Sequence, residues 1–352
     1  MRFRSFLLTA ALAMIPMLVT TTAVAVTQHH EVVKKQPVKK TVKKTVKKTT
    51  VKKTTVKKTT KSTRKATAVK PPPPAAAASP GADLERRLTK AGDYQFSIQH
   101  DGLARTYRVH VPARYDPAEP APLLVALHGG GMDRPADDGF DSLVRQSDYH
   151  GFIAVYPDAW SAPGQGKRAG WNAGQCCGDA RERNVNDVGF VAQVVTNVFR
   201  QVSIDRERIY AAGVSDGGMM ALRLACDLPD LFRGVASVGG ADATARCAPD
   251  KPVSVLQFHA RNDPRVPLAS ARATAVKWAE LNGCSDSPRR VLEKDGAYCD
   301  AWTYCRRQSE VQMCVTDTGG HSWPGARARV ASAAPSQAIS ATDAMWGFLI
   351  SH

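Results

Sequence analysis

The stretch that decides the fold runs from Arg208 to Cys226 and reads RIYAAGVSDGGMMALRLAC. An apolar, strand-like run, RIYAA, leads into Gly213-Val214-Ser215-Asp216-Gly217, and a helical pattern follows. A G-x-S-x-G motif between a strand and a helix is typical of a nucleophile elbow, a sharp turn that holds the serine hydroxyl clear of the sheet. The motif alone often arises by chance, but the strand, the extra Gly218 and the helix supply the required context. We therefore expect Ser215 to be a catalytic nucleophile rather than part of a plain strand-to-helix turn.

A serine hydroxyl needs a general base, and the base needs an orienting carboxylate. Chains with this elbow carry the three groups in the order serine, acid, histidine. Three histidines follow Ser215, namely His259, His321 and His352. His352 stands at the end of the sequence and His259 ends a strand before the acid candidates, whereas His321 lies in the glycine-flanked segment DTGGHSWPG. We expect His321 to be the base.

The acid has three candidates. Asp263, in HARNDPRVP, lies just beyond the apolar run VSVLQFHA, where the carboxylate of such a triad belongs. Asp242 lies on the preceding loop and Asp295 in a turn-like segment, RVLEKDGAYC, which has loop and turn composition throughout. We expect Asp263 to be the acid and keep the other two as alternatives.

Acyl transfer also needs donors for the developing oxyanion. The backbone N–H of Asp216, at the start of the helix after the nucleophile, is one expected donor. The second is expected from LHGGG, Leu127 to Gly131, where glycines let the backbone approach a substrate carbonyl; Gly129 or Gly130 is the candidate. His128 is expected to pack beneath this loop.

From about residue 81 onward the composition is globular, and residues 81–352 suit one large catalytic domain. Short apolar runs that suit strands buried on both faces alternate with helical stretches. An alternating pair, DYQFSIQHDG and ARTYRVHVP, precedes them as an antiparallel entrance. The pattern predicts an α/β protein with a mostly parallel, doubly wound sheet and helices on both faces.

Residues 1–25 have the three-part pattern of a signal peptide: a basic start, an apolar run from Phe6 to Val19, and Ala23-Val24-Ala25 before the expected cleavage. A membrane anchor is the alternative, but the apolar run is short for a span. We expect an exported protein, periplasmic or extracellular.

The formal net charge of +16 comes from the N-terminal tail. Residues 31–70 hold 16 of the 48 Lys and Arg residues against one acid, Glu31. We expect residues 26–80 to be a disordered Lys/Thr-rich tail with a Pro/Ala spacer. A polycation outside the cell meets anionic cell-envelope polymers or lipids, so cell-surface association is expected, with a solvated linker as the alternative. No recognition motif accompanies the tail, and we expect no nucleic-acid partner.

All eight cysteines lie between residues 176 and 314, and an even number in an exported chain predicts disulfides. The spacing lacks paired C-x-x-C units and the histidines are scattered, so no metal site is expected. Three pairs are expected: Cys226–Cys247, Cys284–Cys305 and Cys299–Cys314. Cys176 and Cys177 either bond to each other or exchange partners with Cys226 and Cys247.

Several segments together resemble the secreted polyhydroxybutyrate depolymerase and feruloyl esterase family: LHGGG, GFIAVYPD, WNAGQCCG, NDVGF, GVSDGGMMALRLAC, HARNDPRVP and GGHSWPG. The resemblance covers about residues 90–350. It implies an α/β-hydrolase fold, no cofactor, and hydrolysis of carboxylic esters. The implied substrates are feruloyl or acetyl esters of plant cell-wall polysaccharide such as xylan, or a polyhydroxybutyrate-type polyester. Ser215, Asp263 and His321 fall on the triad of that family.

Two positions depart from the family pattern. His259-Ala260 stands where the family usually has His-Gly, and Asp216 stands where it often has Asn or Ala. Neither change removes a catalytic group, but an anionic Asp216 side chain would disfavour negatively charged acyl groups.

The segment from Trp160 to Asn184 is a long loop expected to cover the active-site mouth. Trp171 and Trp323 are candidates for stacking on an aromatic acyl group or a sugar ring. The alternative is that Trp171 pins this loop and that Trp323 braces His321. Asn186 and Asp187 are expected to cap the helix that follows.

Two other function classes fit parts of the sequence. One is a secreted peptidase or amidase on the same scaffold. The other is a non-catalytic envelope-binding protein that acts through its polybasic tail.

Overall fold

The structure of the chain is a computed structural model that describes residues 86–131, 140–164, 169–327 and 334–352. The expected signal peptide at residues 1–25, the tail and spacer at 26–80 and the domain boundary at residue 81 lie outside these ranges. Within these ranges, none of the helices has both the length and the apolar character that crossing a membrane requires.

The described residues form ten strands and six α-helices. The strands are β1 Gly92–His100, β2 Leu103–Val111, β3 Ala121–Leu127, β4 Ile153–Pro157, β5 Ile204–Val214, β6 Gly234–Val238, β7 Ser254–Ala260, β8 Arg289–Lys294, β9 Ala297–Trp302 and β10 Val311–Thr316. The helices are α1 Phe140–His150, α2 Gly178–Glu182, α3 Asp187–Gln201, α4 Asp216–Asp227, α5 Leu268–Asn282 and α6 Ala341–Ile350.

The strands form one sheet in the order β1-β2-β4-β3-β5-β6-β7-β10-β9-β8. The six central strands, from β4 to β10 in this order, pair in parallel. Antiparallel pairs flank them, with β1 and β2 at one edge and β9 and β8 at the other. The mostly parallel α/β sheet expected from the sequence is therefore confirmed, including the antiparallel entrance.

Helices cover both faces of the sheet. Side chains that alternate along β3 contact a different set of helices on each face. Leu123, Val125 and Leu127 face a core that includes buried residues of α3, α4 and α5. Leu124 and Ala126 face a second core, which includes buried residues of α1 and α6. Because β3 is buried along its whole length, its sequence is a continuous apolar run.

One segment differs from its sequence-based expectation. RVLEKDGAYC forms the hairpin of β8 and β9, with Gly296 at φ +76° in the turn, instead of a loop. β8 is an exposed edge strand, so its charged residues do not show the apolar pattern of a buried strand. A cross-strand ion pair joins β8 to β9, with Arg290 Nε 2.6 Å from Asp300 Oδ1.

All eight cysteines are paired. The structure contains the three expected disulfides, Cys226–Cys247, Cys284–Cys305 and Cys299–Cys314. Cys176 and Cys177 bond to each other, which decides between the two arrangements that the sequence left open.

Candidate active site

Ser215 lies at the junction of β5 and α4 with φ 56° and ψ −123°, a conformation that few non-glycine residues adopt. The residues two positions before and after Ser215 must be glycine because other backbone segments approach them closely. A Cβ on Gly213 would collide with the backbone of Gly217, and a Cβ on Gly217 would collide with the Leu127 carbonyl at the end of β3. The elbow therefore holds Ser215 at the carboxyl end of the central strands, where parallel α/β sheets place their sites.

A chain of hydrogen bonds links Ser215 to the expected base and acid. His321 Nε2 lies 2.9 Å from Ser215 Oγ, and His321 Nδ1 lies 2.8 Å from Asp263 Oδ2. The three residues follow β5, β10 and β7, which all end at the same edge of the sheet. This is the geometry of a nucleophile, a base and an orienting carboxylate.

The Asp263 carboxylate is held in its ionised form. Its Oδ1 accepts hydrogen bonds from the backbone N–H groups of Arg265, at 2.8 Å, and Val266, at 3.0 Å. Burial acts to raise the pKa of Asp263, but the bonds from His321 and from these N–H groups outweigh it, so the pKa is lowered. With Asp263 ionised we assign the His321 proton to Nδ1, which leaves the Nε2 lone pair facing the Ser215 hydroxyl.

His259 has a place in the site that sequence reasoning missed. Its buried ring lies with Nε2 2.8 Å from the Val266 carbonyl and 3.5 Å from Asp263 Oδ2. Burial lowers the pKa of His259, so the ring is neutral and Nε2–H donates to Val266. His259 thus supports the loop that presents Asp263. The signal that could have indicated this role is the His that the family pattern places before the triad acid, which the sequence analysis weighed only as a base candidate.

The alternative acid and base candidates lie elsewhere. Asp242 pairs with Lys277 at 2.9 Å, and Asp295 lies in the turn between β8 and β9. His352 Nδ1 lies 2.8 Å from the Phe348 carbonyl after α6. In the described ranges no group of three or more His, Cys, Asp or Glu side chains is arranged to hold a metal ion.

The glycine loop after β3 lies against the start of α4. Gly131 N–H donates to the Ala169 carbonyl at 2.8 Å, which fixes the end of the loop. A Cβ on Gly130 would lie 2.7 Å from Asp216 Oδ2, so this backbone and Asp216 are in close contact. Gly130 thus lies against the side chain of Asp216, the residue that follows Ser215.

His128 supports this loop, as the sequence predicted. Its Nε2 accepts a hydrogen bond from Ala159 N–H at 3.0 Å, and its carbonyl accepts one from Trp171 Nε1 at 2.8 Å. The buried ring ties the glycine loop to the segment after β4.

The expectation that Trp171 and Trp323 stack on a substrate is wrong. The two residues are 0% and 1% exposed, so neither ring offers a face to a ligand. Trp171 pins its loop through the bond to His128, and Trp323 Nε1 donates to Thr342 Oγ1 of α6 at 3.0 Å. Trp323 therefore anchors the loop that carries His321 two residues earlier.

A buried ion pair fixes the loop that contains Trp171. Arg105 Nη2 lies 2.8 Å from Asp187 Oδ1, and Asp187 Oδ2 accepts a hydrogen bond from Asn172 N–H at 2.8 Å. Asn186 caps α3 by accepting from Gly189 N–H, as expected, whereas Asp187 turns back to the loop. No sequence pattern indicated this role of Arg105.

Comparisons with known proteins agree with this fold. Residues 179–293 match the family described as phospholipase/carboxylesterase. NocK of Nocardia uniformis subsp. tsuyamanensis, a protein named as an esterase, is 30% identical over 298 residues, which span 74% of this chain and 85% of NocK. Feruloyl esterase B of Piromyces equi is 26% identical over 235 residues, which span 61% of this chain and 42% of that enzyme, less than half of its length.

A solved structure is similar as well. The acetyl xylan esterase from Aspergillus awamori aligns with a TM-score of 0.54 over 73% of this chain and 98% of that chain. Its sequence is 16% identical, and at this identity the likeness shows the fold alone.

Proposed function

The chain belongs to the feruloyl esterase family of α/β-hydrolases and is a carboxylic ester hydrolase, and on this premise we propose that Ser215, His321 and Asp263 are its catalytic triad. The observation that carries the proposal is the continuous chain of hydrogen bonds from Ser215 Oγ through His321 to Asp263, with distances of 2.9 and 2.8 Å.

The reaction follows from this geometry. His321 Nε2 takes the Ser215 proton as Oγ attacks the ester carbonyl, while the N–H groups of Asp216 and of Gly129 or Gly130 hold the oxyanion. His321 then gives the proton to the leaving alcohol, which departs from the acyl-enzyme. Water, activated by the same base, releases the acid and restores Ser215. Loss of one oxyanion donor lowers such rates by about 10²–10³.

The proposed substrates are feruloyl or acetyl esters of plant cell-wall polysaccharide such as xylan, with polyhydroxybutyrate-type polyester as a further candidate. Support for the feruloyl esters comes from the name of a similar protein, a feruloyl esterase, and support for the acetyl esters comes from the sequence resemblance. The polyester has support only from the sequence resemblance. Because small differences in a pocket decide acyl preference, the choice needs a direct assay.

We further propose that the enzyme is exported. Four disulfides suit an oxidising compartment, and the pattern of residues 1–25 is that of a signal peptide. The 16 basic residues of the segment 31–70 would bind anionic envelope polymers. Deletion of this segment is expected to release the enzyme from anionic cell-wall preparations without changing hydrolysis of a small ester; unchanged retention would contradict this role of the tail.

The test is hydrolysis of methyl ferulate, acetylated xylan and 3-hydroxybutyrate oligomers by the mature protein and by Ser215→Ala. Ser270→Ala, at an exposed serine on α5, is the matched control. We expect one substrate class to be hydrolysed by the mature protein and by the control but not by Ser215→Ala. Hydrolysis that survives Ser215→Ala would refute the triad, and cleavage of a peptide anilide in preference to every ester would favour a peptidase.

A further inference from the structure

Asp216 contributes more to the site than its backbone N–H. Its side chain is only 4% exposed and is wedged between two backbone segments. A Cβ on Gly130 would lie 2.7 Å from Asp216 Oδ2, and a Cβ on Gly170 would lie 3.1 Å from the same atom. Contacts this close leave no room for a side chain at either glycine, so the carboxyl group itself fills the space between the two loops.

These two loops are also bonded to each other around the carboxyl group. Gly131 N–H donates to the Ala169 carbonyl at 2.8 Å, and Trp171 Nε1 donates to the His128 carbonyl at 2.8 Å. The Asp216 carboxyl group therefore lies at the centre of a small assembly formed by the glycine loop, the Trp171 loop and the start of α4. Its removal would leave a void directly beside the proposed oxyanion donors.

The surroundings of the carboxyl group suit its neutral form. Among the described residues neither oxygen has a hydrogen-bond partner of acceptable geometry. Burial is the largest effect and raises the pKa of Asp216 to about 7, although backbone N–H groups of Trp171, Gly130, Gly217 and Asp216 itself face the carboxyl and act to lower it.

No charged side chain of the described residues offsets this burial. The segment 169–177 has no ionisable side chain, since its two cysteines are joined in a disulfide. In the glycine loop, Leu127 to Gly131, the only side chain of an ionisable type is that of His128, and its Nε2 accepts a hydrogen bond from Ala159 N–H. His321, across the site, is bonded to Ser215 and Asp263.

We propose that the Asp216 side chain is a positioning residue of the oxyanion site, that it holds the glycine loop against the start of α4, and that it does so as a neutral carboxyl group. The inference rests on the proposed function. The physical reason is that the Asp216 N–H is to hold the oxyanion, and a carboxylate on the same residue would repel the negative charge that develops there.

The experiment compares the protein with Asp216→Asn, Asp216→Ala and the control Asp317→Asn, whose carboxylate is half exposed and pairs with Arg261. Rates of p-nitrophenyl acetate hydrolysis and of labelling by an organophosphonate probe are measured from pH 5.5 to 9, after subtraction of the Ser215→Ala background. Thermal melts at each pH establish whether each variant is folded.

We expect kcat/KM of the unmodified protein to fall above pH 7 by about tenfold per pH unit, which is about 100-fold at pH 9. Asp317→Asn should show the same fall. Asp216→Asn should lack it, because no group is left to ionise. Asp216→Ala should lack it too and have a lower kcat at every pH, because the void leaves the glycine loop unsupported.

Each outcome decides a separate question. Hydrolysis that depends on Ser215, with the same alkaline fall in both Asp216 variants as in the unmodified protein, would overturn the proposal and leave the function standing. No dependence on Ser215 in either assay would overturn the function, and the positioning role with it. If Asp216→Asn does not fold, the pH profile of Asp216→Ala makes the same decision.

Discussion

Asp263 and His321 are 58 residues apart in the chain, yet Asp263 Oδ2 lies 2.8 Å from His321 Nδ1. The loops that carry them follow β7 and β10, which are neighbouring parallel strands although two strands separate them in sequence. The pairing of these two strands therefore brings the acid to the base. Asp242 and Asp295, the other acid candidates, follow β6 and β8 instead.

This relationship predicts the effect of Asp263→Asn. The amide keeps the size of the side chain but no longer stabilises the His321 tautomer with a free Nε2 lone pair, so we expect kcat to fall by about 10³–10⁴. Asp242→Asn is the matched control, because Asp242 pairs with Lys277 instead. Steady-state kinetics on an aryl ester measure both. A large loss in the control with little loss in Asp263→Asn would show that the acid is misassigned.

His259→Gln tests the support beneath Asp263. A histidine in an unfolded chain titrates near 6.5, while burial lowers the pKa of His259 in the folded protein. As pH falls below about 6.5 the unfolded chain takes up a proton that the folded protein does not, so this residue lowers the free energy of unfolding toward acid pH. We expect His259→Gln to lose that part of the slope, in denaturant titrations at pH 5 to 8. The control is His150→Gln, at an exposed histidine outside the site; equal slopes in all three proteins would argue against a buried neutral His259.

We expect Asp216→Asn to be more stable than the unmodified protein, by a free energy of unfolding that depends on pH. With the folded pKa raised to about 7, the unfolded chain releases a proton from about pH 4 upward while the folded protein retains it. The free energy of unfolding therefore falls from about pH 4 to 7, by at most about 4 kcal/mol, and then levels off. The difference between Asp216→Asn and the unmodified protein should grow over this range and stay constant above it. A difference that is the same at pH 4 and pH 7 would show that Asp216 titrates normally.

Arg105→Met tests the buried ion pair under the Trp171 loop. It leaves the Asp187 carboxylate buried without its cation, which costs about 3–5 kcal/mol in comparable pairs. The double variant Arg105→Met/Asp187→Asn removes the charge and keeps an acceptor for Asn172 N–H, so it should recover part of the loss. Urea unfolding of both variants checks this. A double variant that is no more stable than Arg105→Met would show that the charge is not what matters.

Local patterns were enough to predict the elbow, the fold class and three disulfides. Gly213 precedes Ser215 because a side chain there would collide with Gly217 in the same turn, and such a local steric limit is visible in the sequence. The hairpin of β8 and β9 was missed because an exposed edge strand need not be apolar. The sequence could not decide between the two roles considered for Trp171 and Trp323, because a tryptophan in a loop has the same sequence signature whether its ring is exposed or buried.

The sequence by itself determined the alternation of strands and helices that gives a mostly parallel sheet, the turn at Ser215 and the family to which the chain belongs. Only the tertiary structure decided that Asp263 rather than Asp242 reaches His321, that Cys176 bonds to Cys177, and that the Asp216 side chain is buried. The reason is physical. Propensities and turn sterics act between near neighbours in the chain, whereas burial, pKa and contact between side chains depend on which distant segments the sheet brings together.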